Sequence, residues 1–283
     1  MTYPVIFIHY GNPDWLKSTL YQAKIYNPKV ILLGDETNNK YPFVEHYNLS
    51  EFSDTALEFR KVYQHLSKRD AKYELFCIER WFILESFMRK KAIKQCFYQD
   101  SDNMLYLNVG DFALKNYADV QFASFLGTGC DFFINRYDIL KKLCLFLKNC
   151  YVDADLFKKI QIKNTELLQQ NRAGISDMDL LSLFIMQNLS SYRNIGVPDH
   201  GSFFCANIKG SQGFEMHQQF KKVYCLNHQL YCKQEETNTF FRCNTLQFQG
   251  DSKKYIPYFS SLLSNQLMGP YYFNYETCKW LSV

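Results

Sequence analysis

The sequence has no long apolar run, no paired cysteine motif and no large excess of either charge. None of its apolar stretches approaches the roughly 20 residues that a transmembrane helix needs. Residues 1–10 lack the basic start and the small-residue cleavage site of a signal peptide, so we expect none. We therefore expect a cytoplasmic protein without a transmembrane segment, one that could touch the inner face of a membrane peripherally.

Motifs for metal-bound or disulfide-bonded cysteine are also missing. Ten cysteines are scattered along the chain without any Cys-x-x-Cys pair. In a chain of this size without a secretion signal, we expect them to stay reduced and to pack as small apolar groups. The 32 Lys and Arg residues and 28 Asp and Glu residues give a net charge of +4 without a basic stripe, so we expect no nucleic-acid partner.

The sequence does have enough apolar material for a full core. Of its 283 residues, 47% are hydrophobic and 17% aromatic, which excludes a disordered, collagen-like or disulfide-stapled chain. No linker, repeat or low-complexity segment interrupts it. We therefore predict a single domain over residues 1–283.

Strand and helix patterns alternate over the first hundred residues, which predicts an α/β fold with a mostly parallel sheet flanked by helices. Residues 4–9 and 30–33 are apolar runs typical of buried strands, and Asn12 is placed to cap the helix between them. The loops after these strands should meet at the carboxyl edge of the sheet, where such folds bind ligands. Neither the Gly-x-Gly-x-x-Gly nor the P-loop pattern of nucleotide-binding folds occurs.

The later pattern continues this alternation and then changes character. Beyond about residue 193, short strands and turns are predicted. The further predicted strands are 43–49, 96–98, 120–126 and 131–135, and the further predicted helices are 54–66, 74–94, 137–148, 155–169 and 177–189.

Asp-x-Asp occurs three times, and the context separates the first two occurrences. Side chains two apart on an extended strand share a face, so two such carboxylates suit a hard divalent cation. Asp100 and Asp102 follow a short buried strand and precede an apolar run, which favours metal binding over a plain turn. Asp153 and Asp155 open a predicted helix, where capping is a sufficient explanation.

The third Asp-x-Asp has a structural and a functional interpretation. Asp177 and Asp179 start a strongly apolar predicted helix. Ser176 or Asp177 could cap that helix. Alternatively, one carboxylate points into an active cleft as a base or as a binder of substrate hydroxyls.

Other polar residues allow two interpretations as well. In residues 247–253, Gly250 permits close approach of a ligand and Lys253 could meet a phosphate, unless the segment is a strand ending in a turn. His9 either lines a nucleotide pocket or is a satisfied histidine beneath the loop. Arg80, on the helix before the Asp100 strand, either reaches a phosphate or forms a surface ion pair.

Two apolar segments favour packing over binding. The aromatic residues 271–275, with Trp280, could stack on acceptor sugars but more simply pack the tail against the core. Residues 139–148 mix Lys with Leu and Phe; an amphipathic core helix is favoured over a helix on an anionic membrane.

The order of these segments resembles that of a GT-A-fold glycosyltransferase with an Asp-x-Asp motif, over most of the chain. The resemblance implies that the first loop and the second strand end hold a nucleotide, while Asp-x-Asp holds Mn²⁺ or Mg²⁺ on the diphosphate of a nucleotide sugar. Residues 1–107 would form the nucleotide- and metal-binding half, and residues 108–283 the acceptor half. The residues expected to bind the nucleotide sugar are His9, Tyr10, Gly11, Asn12, Asp35, Arg80, Asp100, Ser101, Gly250 and Lys253.

The closing segment is similar to the His-x-x-Gly-x-x-Lys motif of the glycogenin-like and bacterial galactosyltransferase-like branch of that family. Gly250 and Lys253 match its spacing, whereas Gln247 stands where the branch has a metal-binding His. An amide oxygen can bind a hard cation, although it is a weaker donor than imidazole. Gln247 is thus the expected third metal ligand beside Asp100 and Asp102.

The same branch carries Asp-Gln-Asp at a helix start, which Asp177-Met178-Asp179 resembles in position. The match implies that Asp177 or Asp179 contacts the sugar or the acceptor as the catalytic group. The expected function is metal-dependent transfer of a hexose from a UDP or GDP sugar to a glycan, lipid-linked or other hydroxyl acceptor, as in polysaccharide biosynthesis. The alternatives are a metal-dependent phosphohydrolase or nuclease, and a catalytically silent sugar-nucleotide-binding protein.

Overall fold

The computed structural model of the chain describes residues 3–264, 266–267 and 269–283, and leaves the side chains of Leu262 and Ser264 undescribed. Met1 and Thr2, which open the segment expected to hold no signal peptide, lie outside the described residues. The strands are β1 (Val5–Ile8), β2 (Val30–Gly34), β3 (Glu45–Asn48), β4 (Cys96–Gln99), β5 (Asn103–Leu105), β6 (Phe122–Phe125), β7 (Thr128–Ile134), β8 (Tyr192–Asn194), β9 (Ser202–Phe203), β10 (Met216–His217), β11 (Phe220–Lys221), β12 (Val223–Leu226), β13 (Gln229–Lys233), β14 (Phe240–Cys243), β15 (Thr245–Gln247), β16 (Tyr271–Asn274) and β17 (Lys279–Ser282). The helices are α1 (Leu16–Tyr26), α2 (Asp54–Arg60), α3 (Ala71–Lys90), α4 (Val109–Asn116), α5 (Tyr137–Val152), α6 (Ala154–Gln169), α7 (Asp177–Met186) and α8 (Ser261–Ser264), with 3₁₀ turns at Leu49–Phe52, Leu189–Ser191 and Gly250–Phe259.

Over the described residues, the central sheet has seven strands in the order β3-β2-β1-β4-β7-β6-β8. Strands β3, β2, β1 and β4 are parallel to their neighbours in that order. Strand β7 runs antiparallel to both β4 and β6, and β8 is parallel to β6. The predicted α/β fold with a mostly parallel sheet flanked by helices is confirmed. The loops after β1, β2 and β4 therefore lie side by side at one edge.

Both faces of β1 are buried, and its alternate residues pack against different helices. Ile6 and Ile8 belong to the apolar cluster that includes residues of α3, α5 and α7. Val5 and Phe7 belong to the cluster that includes residues of α1 and α4. Because side chains alternate along a strand, a strand covered on both faces needs a continuous apolar run, and the VIFI sequence supplies it.

A second sheet, formed by the C-terminal part of the chain, has the strand order β17-β16-β12-β13-β14-β9 over the described residues. Its apolar cluster contains Phe248 and Phe273 and also Met104, which follows the Asp-x-Asp loop. Strand β15 leaves this region and pairs antiparallel with β5, so that Gln247 lies opposite Asn103. This pairing brings the closing segment to the Asp100–Asp102 loop.

The start of α1 differs from the prediction. Its N-cap is Trp15, without a side-chain capping hydrogen bond. Asn12 instead accepts a hydrogen bond from the hydroxyl of Tyr41. The predicted capping role of Asn12 is therefore wrong, because the loop between β1 and α1 folds back on the segment before β3.

The ends of α2 and α3 also fall earlier than predicted. Helix α2 ends at Arg60, and the residues after it turn to meet another loop, with Lys68 N donating to Ala173 O at 2.6 Å. Helix α3 ends at Lys90, and Ala92 then adopts a positive φ of 53°, which no α-helix can contain. The other predicted elements are present, with ends shifted by a few residues.

The packing predictions hold for several segments. The cysteines are free, and all except Cys278 are buried as small apolar side chains. Asp153 caps α6, since its carboxylate accepts from the N–H groups of Asp155 and Leu156. Phe273 is 0% exposed, so the aromatic segment 271–275 packs against the core. Helix α5 is the predicted amphipathic helix and buries its apolar face. Within the part of the chain that the structure describes, no helix combines the length and hydropathy needed to cross a bilayer.

Candidate functional site

The loops after β1 and β2 are tied together by a carboxylate and an amide. Gly11 N donates to Asp35 Oδ2 at 2.6 Å. The side-chain amide of Asn38 donates to the carbonyl oxygens of His9 and Gly11 at 3.0 and 2.9 Å. Asn38 is fully buried and carried no sequence signal that would distinguish it from other loop asparagines. The predicted nucleotide-binding loop thus has a fixed shape.

Asp35 supports this loop with both of its oxygens. Its Oδ1 accepts hydrogen bonds from the backbone N–H and the hydroxyl of Thr37, while Gly11 uses Oδ2. Burial raises the pKa of Asp35, but the hydrogen bonds from Thr37 and from backbone N–H groups outweigh it, so the pKa lies below its ordinary value. Asp35 is therefore an ionised, fully engaged support of the loop.

His9 joins the first loop to the Asp-x-Asp loop. Its Nδ1 is hydrogen-bonded to Ser101 Oγ at 2.8 Å, and its ring contacts that of Trp15 edge-on, with the centroids 5.3 Å apart. Burial, followed by the charge of Lys253, lowers the pKa of His9 to about 4, so the ring is neutral at pH 7. Its Nε2 is buried and has no hydrogen-bond partner among the described residues. A buried polar atom of this kind needs a partner, which a ligand can provide.

Tyr10 and Asn12 make different contacts within the same loop. The Tyr10 ring is 50% exposed and lies against Phe76 of α3, with the ring centroids 4.7 Å apart. Asn12 holds the loop through its bond from Tyr41. An exposed aromatic face beside a fixed loop offers a planar ligand a stacking surface.

Asp100, at the carboxyl end of β4, is fixed through both its side chain and its backbone. Its Oδ1 accepts hydrogen bonds from Arg80 Nη1 at 2.6 Å and from the Tyr98 hydroxyl at 3.0 Å. Its N–H donates to Cys130 O at 2.8 Å. Both side-chain bonds are to the same oxygen, so Oδ2 remains for another partner.

Arg80 bridges the first Asp-x-Asp pair and the third. Its Nη2 donates to Asp177 Oδ2 at 2.8 Å while its Nη1 holds Asp100. The side chains of Arg80 and Asp177 are 12% and 7% exposed, so the surface ion pair considered for Arg80 is wrong. Burial raises the pKa of Asp177, although the Arg80 charge opposes this.

Asp179 forms the capping box at the start of α7 together with Ser176. Its Oδ2 accepts hydrogen bonds from Ser176 N at 2.9 Å and from Ser176 Oγ at 2.7 Å, and its Oδ1 lies 3.5 Å from Arg172. Ser176 is the N-cap. Of the two residues expected to be catalytic, Asp177 faces Asp100 and Asp179 serves the helix end.

Asp102 is paired with a lysine from the closing segment. Lys253 Nζ lies 3.1 Å from Asp102 Oδ2 and 5.2 Å from the centroid of the Trp15 ring. Burial, together with the nearby Asp100 charge, raises the pKa of Asp102 above its ordinary value, and Lys253 opposes this. Gly250 precedes Lys253 with a φ of +59°, in the left-handed region that favours glycine.

Gln247 lies in β15, the strand that pairs with the segment directly after the Asp-x-Asp motif. It is opposite Asn103 in the β5–β15 pair, and Phe248 N donates to Asp102 O at 2.9 Å. Its side chain is buried, and its Oε1 accepts a hydrogen bond from Gln249 Nε2 at 3.1 Å. The amide oxygen therefore already has one hydrogen-bond donor, while the β5–β15 pairing brings the backbone of Gln247 next to the Asp-x-Asp loop.

The donor atoms gathered here are all oxygens. In residues 3–264, 266–267 and 269–283, no group of three or more His, Cys, Asp and Glu side chains could hold a metal ion. The site offers the carboxylates of Asp100 and Asp102 and the amide of Gln247. This set suits a hard cation that takes its remaining ligands from water and phosphate. It lacks the dense cluster that a two-metal phosphohydrolase or nuclease requires.

A fully buried carboxylate, Asp131 of β7, lies next to the Asp-x-Asp loop. Its Oδ1 accepts hydrogen bonds from Gln99 Nε2 at 3.1 Å and Asn103 Nδ2 at 2.8 Å, and its Oδ2 accepts from Thr245 Oγ1 at 2.9 Å. Burial raises the pKa of Asp131 to about 7, against the effect of these hydrogen bonds. Asp131 lies in a strand that the sequence predicts, without any predicted role; the one sequence signal for it is a lone carboxylate within the apolar run 130–134.

Two other concave surfaces of the described residues lie away from this edge. One, of about 580 Å³, lies at the opposite edge of the central sheet and is lined by residues that include Tyr3, Gln95 and Asn135. Another, of about 360 Å³, lies between α4 and the second sheet, with Arg242 and Lys115 in its wall. Neither surface carries an Asp-x-Asp pair, so the chemistry favours the edge formed by the β1, β2 and β4 loops.

No protein-family model matches the chain, and no curated protein matches it by sequence. Three similar solved structures are glycosyltransferases. Mouse xyloside xylosyltransferase 1 in its apo form is 8% identical, with 69% of this chain and 85% of that one covered and a TM-score of 0.45. A glycosyltransferase involved in glycosylation of the major capsid of PBCV-1 is 10% identical, with 90% and 99% covered and a TM-score of 0.42.

The third is the galactosyltransferase LgtC in complex with donor and acceptor sugar analogs. It is 12% identical, with 94% of this chain and 96% of that one covered and a TM-score of 0.40. Identities of 8 to 12% and TM-scores below 0.5 mark a distant likeness, which assigns neither a donor nor an acceptor to this chain.

Proposed function

We propose that the chain is a metal-dependent glycosyltransferase of the GT-A type that moves a hexose from a nucleotide-diphosphate sugar to a hydroxyl acceptor. The observation that carries this proposal is the Arg80 bridge between Asp100 and Asp177, beside the pair formed by Asp102 and Lys253. These groups come from distant parts of the chain and meet at the carboxyl edge of a mostly parallel sheet, where such folds bind ligands.

The proposed metal ligands are Asp100, Asp102 and Gln247, and the proposed ion is Mn²⁺ or Mg²⁺. Asp100 lies 2.6 Å from Arg80, and Asp102 lies 3.1 Å from Lys253. A bound cation would neutralise the negative charge of the same two carboxylates. Burial is the first cause of the raised pKa of Asp102, and repulsion from the Asp100 charge is the second. A divalent cation bound by both carboxylates would offset that repulsion. When bound, such an ion supplies positive charge to the phosphate oxygens of the donor.

Lys253 supplies the protein's own cation for the leaving diphosphate. Negative charge grows on that group as the glycosidic bond breaks, and fixed positive charges stabilise it. The ammonium of Lys253 lies over the Trp15 ring, which can hold it by cation–π attraction when phosphate replaces Asp102 as its partner. Proton transfer to the leaving group is then unnecessary.

Asp177 is the carboxylate we assign to the transferred sugar or the acceptor hydroxyl. The hydrogen bond from Arg80 holds the Asp177 carboxylate in place. Because the Asp177 side chain is buried, it has little contact with water. Asp179 is excluded from this role because its oxygens serve Ser176 and Arg172. On the nucleotide side, the exposed Tyr10 ring offers a stacking face for the base of a UDP or GDP sugar. A glycan or lipid-linked acceptor would approach from the Asp177 side.

Thermal unfolding with UDP, GDP and their hexose derivatives, with and without Mn²⁺, tests the donor and metal parts of the proposal. We expect one nucleotide to raise the melting temperature in a Mn²⁺-dependent way. The Asp102→Asn variant should lose this rise. Asp155→Asn is the matched control, since it makes the same change in another Asp-x-Asp, at the start of α6, and should keep the rise.

Indifference of the wild-type protein to every nucleotide, or equal loss in both variants, would overturn the proposal. Slow hydrolysis of the recognised nucleotide sugar then separates an enzyme from a silent binder. We expect wild type to release free hexose and Asp177→Asn to bind the nucleotide normally but release hexose at least about 100-fold more slowly. Binding without any hydrolysis or transfer would identify a silent sugar-nucleotide-binding protein.

A further inference from the structure

Asp131 is a buried titratable group that has no part in the transfer chemistry. Its side chain is 0% exposed, and its three described hydrogen-bond donors are neutral: two amides and a hydroxyl. Burial of a carboxylate is unfavourable unless hydrogen bonds compensate it, so an apolar side chain would suit a purely structural position better. The contacts around Asp131 therefore have to explain why a carboxylate occupies this position.

Each partner of Asp131 lies within two residues of a residue of the proposed metal site. Gln99 directly precedes Asp100, and Asn103 directly follows Asp102. Thr245 belongs to β15, the strand that ends at Gln247. One carboxylate therefore connects both ends of the Asp-x-Asp loop to the strand that delivers the third proposed ligand.

The orientation of the two amides depends on this carboxylate. Gln99 Oε1 and Asn103 Oδ1 are buried and have no hydrogen-bond partner among the described residues, while their NH₂ groups both donate to Asp131 Oδ1. Without the carboxylate, each amide would lose the bond that determines which way it points. The backbone beside Asp131 adds to the same restraint, since Cys130 O accepts the hydrogen bond from Asp100 N.

We propose that Asp131 is a positioning residue that sets the distance and angle between the Asp100–Asp102 loop and the Gln247 strand. Because its side chain is 0% exposed and bonded to these three partners, it acts through them. Its consequence for ligand binding rests on the function proposed above, whereas its effect on the two segments does not. Removal of the outer partners of metal-binding side chains weakens metal affinity about 10- to 100-fold, and we expect a loss in that range here.

Four variants test this role. Asp131→Leu removes all three hydrogen bonds, and Thr245→Val removes one with little change in shape. Asp131→Asn is the conservative rescue, because an amide oxygen can still accept from Gln99 and Asn103. Ile134→Ala is the matched control: it makes a cavity in the same strand, at the end that pairs with the start of β4.

Two readouts separate positioning from stability. Native-state hydrogen exchange reports the amides of Asp100, Asn103 and Phe248, which are hydrogen-bonded in and around the loop. We expect them to exchange faster in Asp131→Leu than in Ile134→Ala at matched unfolding free energy, with Thr245→Val between. The second readout is the Mn²⁺ concentration that half-saturates UDP- or GDP-dependent stabilisation, which should rise about 10- to 100-fold in Asp131→Leu and stay near wild type in Asp131→Asn and Ile134→Ala.

Unchanged exchange of these amides in folded Asp131→Leu, or in Thr245→Val if the first variant does not fold, overturns the inference. Faster exchange with unchanged Mn²⁺ dependence also overturns it, because the loop would then need no such support. If wild type binds no nucleotide, the proposed function fails, and the exchange data alone decide whether Asp131 positions the two segments.

Discussion

Arg80 serves two carboxylates that are far apart in the sequence. It lies between Asp100 and Asp177, with hydrogen bonds of 2.6 and 2.8 Å, and its guanidinium also lies over the Trp81 and Tyr98 rings. A planar group with five donors can satisfy both partners at once, which a lysine ammonium does less well. The residue is therefore central to the charge balance of the site.

We expect Arg80→Met to lower the free energy of unfolding by about 3 to 5 kcal/mol, because it leaves two buried or half-buried carboxylates without their cation. Urea unfolding at pH 7 measures this. Lys61→Met is the control: it breaks the exposed pair of Lys61 with Glu58 and should cost about 0 to 1 kcal/mol. Equal costs for the two variants would contradict a buried bridge.

The stability of the protein should depend on pH through Asp131. Burial raises the pKa of this group to about 7 in the folded chain, against about 3.9 in the unfolded chain. The folded state therefore holds the proton longer, and its contribution to stability is present below about pH 4 and is lost as the pH rises through about 7.

We expect wild type to lose up to about 1.4 kcal/mol per pH unit relative to Asp131→Asn between about pH 4 and pH 7, and nothing more above pH 8. Urea unfolding of both proteins across this range measures the difference. A difference that is independent of pH would mean that the Asp131 pKa is ordinary.

At the scale of elements, the start of α7 separates two aspartates that the sequence treats alike. Asp179 accepts two hydrogen bonds from Ser176, whereas Asp177, two positions earlier, faces Arg80. Residues two positions apart in a helical first turn lie on different faces, so one carboxylate completes the capping box and the other meets Arg80.

We expect Asp179→Ala to destabilise the protein by about 1 kcal/mol while it keeps nucleotide-sugar hydrolysis within about threefold of wild type. Asp177→Asn should show the reverse pattern in activity. Unfolding curves and hydrolysis rates of both variants give the comparison. A strong loss of hydrolysis in a fully folded Asp179→Ala protein would reassign the catalytic role.

Other elements show where local pattern was sufficient. The buried strands at Val5–Ile8 and Val30–Gly34 were predictable because a strand covered on both faces must be apolar throughout. The end of α2 was not predictable, since no Gly or Pro follows Arg60, and the chain after the helix leads to a contact between Lys68 and the distant Ala173. Asn12 was predicted to cap α1 because its neighbours in the sequence suit a helix start. Its hydrogen bond from the distant Tyr41 cannot be predicted from those neighbours.

At the scale of the molecule, the C-terminal segment completes the N-terminal part. Strand β15 pairs with β5, and the third apolar cluster includes Met104 and Tyr106 as well as Leu246 and Phe273. The central sheet likewise takes β6, β7 and β8 from the part of the chain after residue 107. These contacts favour cooperative unfolding of one domain.

We expect a fragment ending at residue 244 to lack a cooperative thermal transition, because it loses β15 and leaves the Met104 cluster exposed to water. Circular dichroism melting and gel filtration measure this. The full chain is the reference and should melt in a single transition. A monomeric fragment with its own sharp transition would show that the closing segment is dispensable for folding.

The sequence by itself determined the buried strands, the α/β class and the identity of Asp100 and Asp102 as notable carboxylates, because these depend on neighbours within a few positions. The resemblance of residues 247–253 to a family motif added the expectation that Lys253 meets the same site, where the structure pairs it with Asp102. The tertiary structure decided that Arg80 joins Asp100 to Asp177, that Asp179 caps a helix, and that Asp131 sits between the loop and β15. These contacts join residues that lie far apart in the chain, and the folded backbone alone brings them within hydrogen-bonding distance.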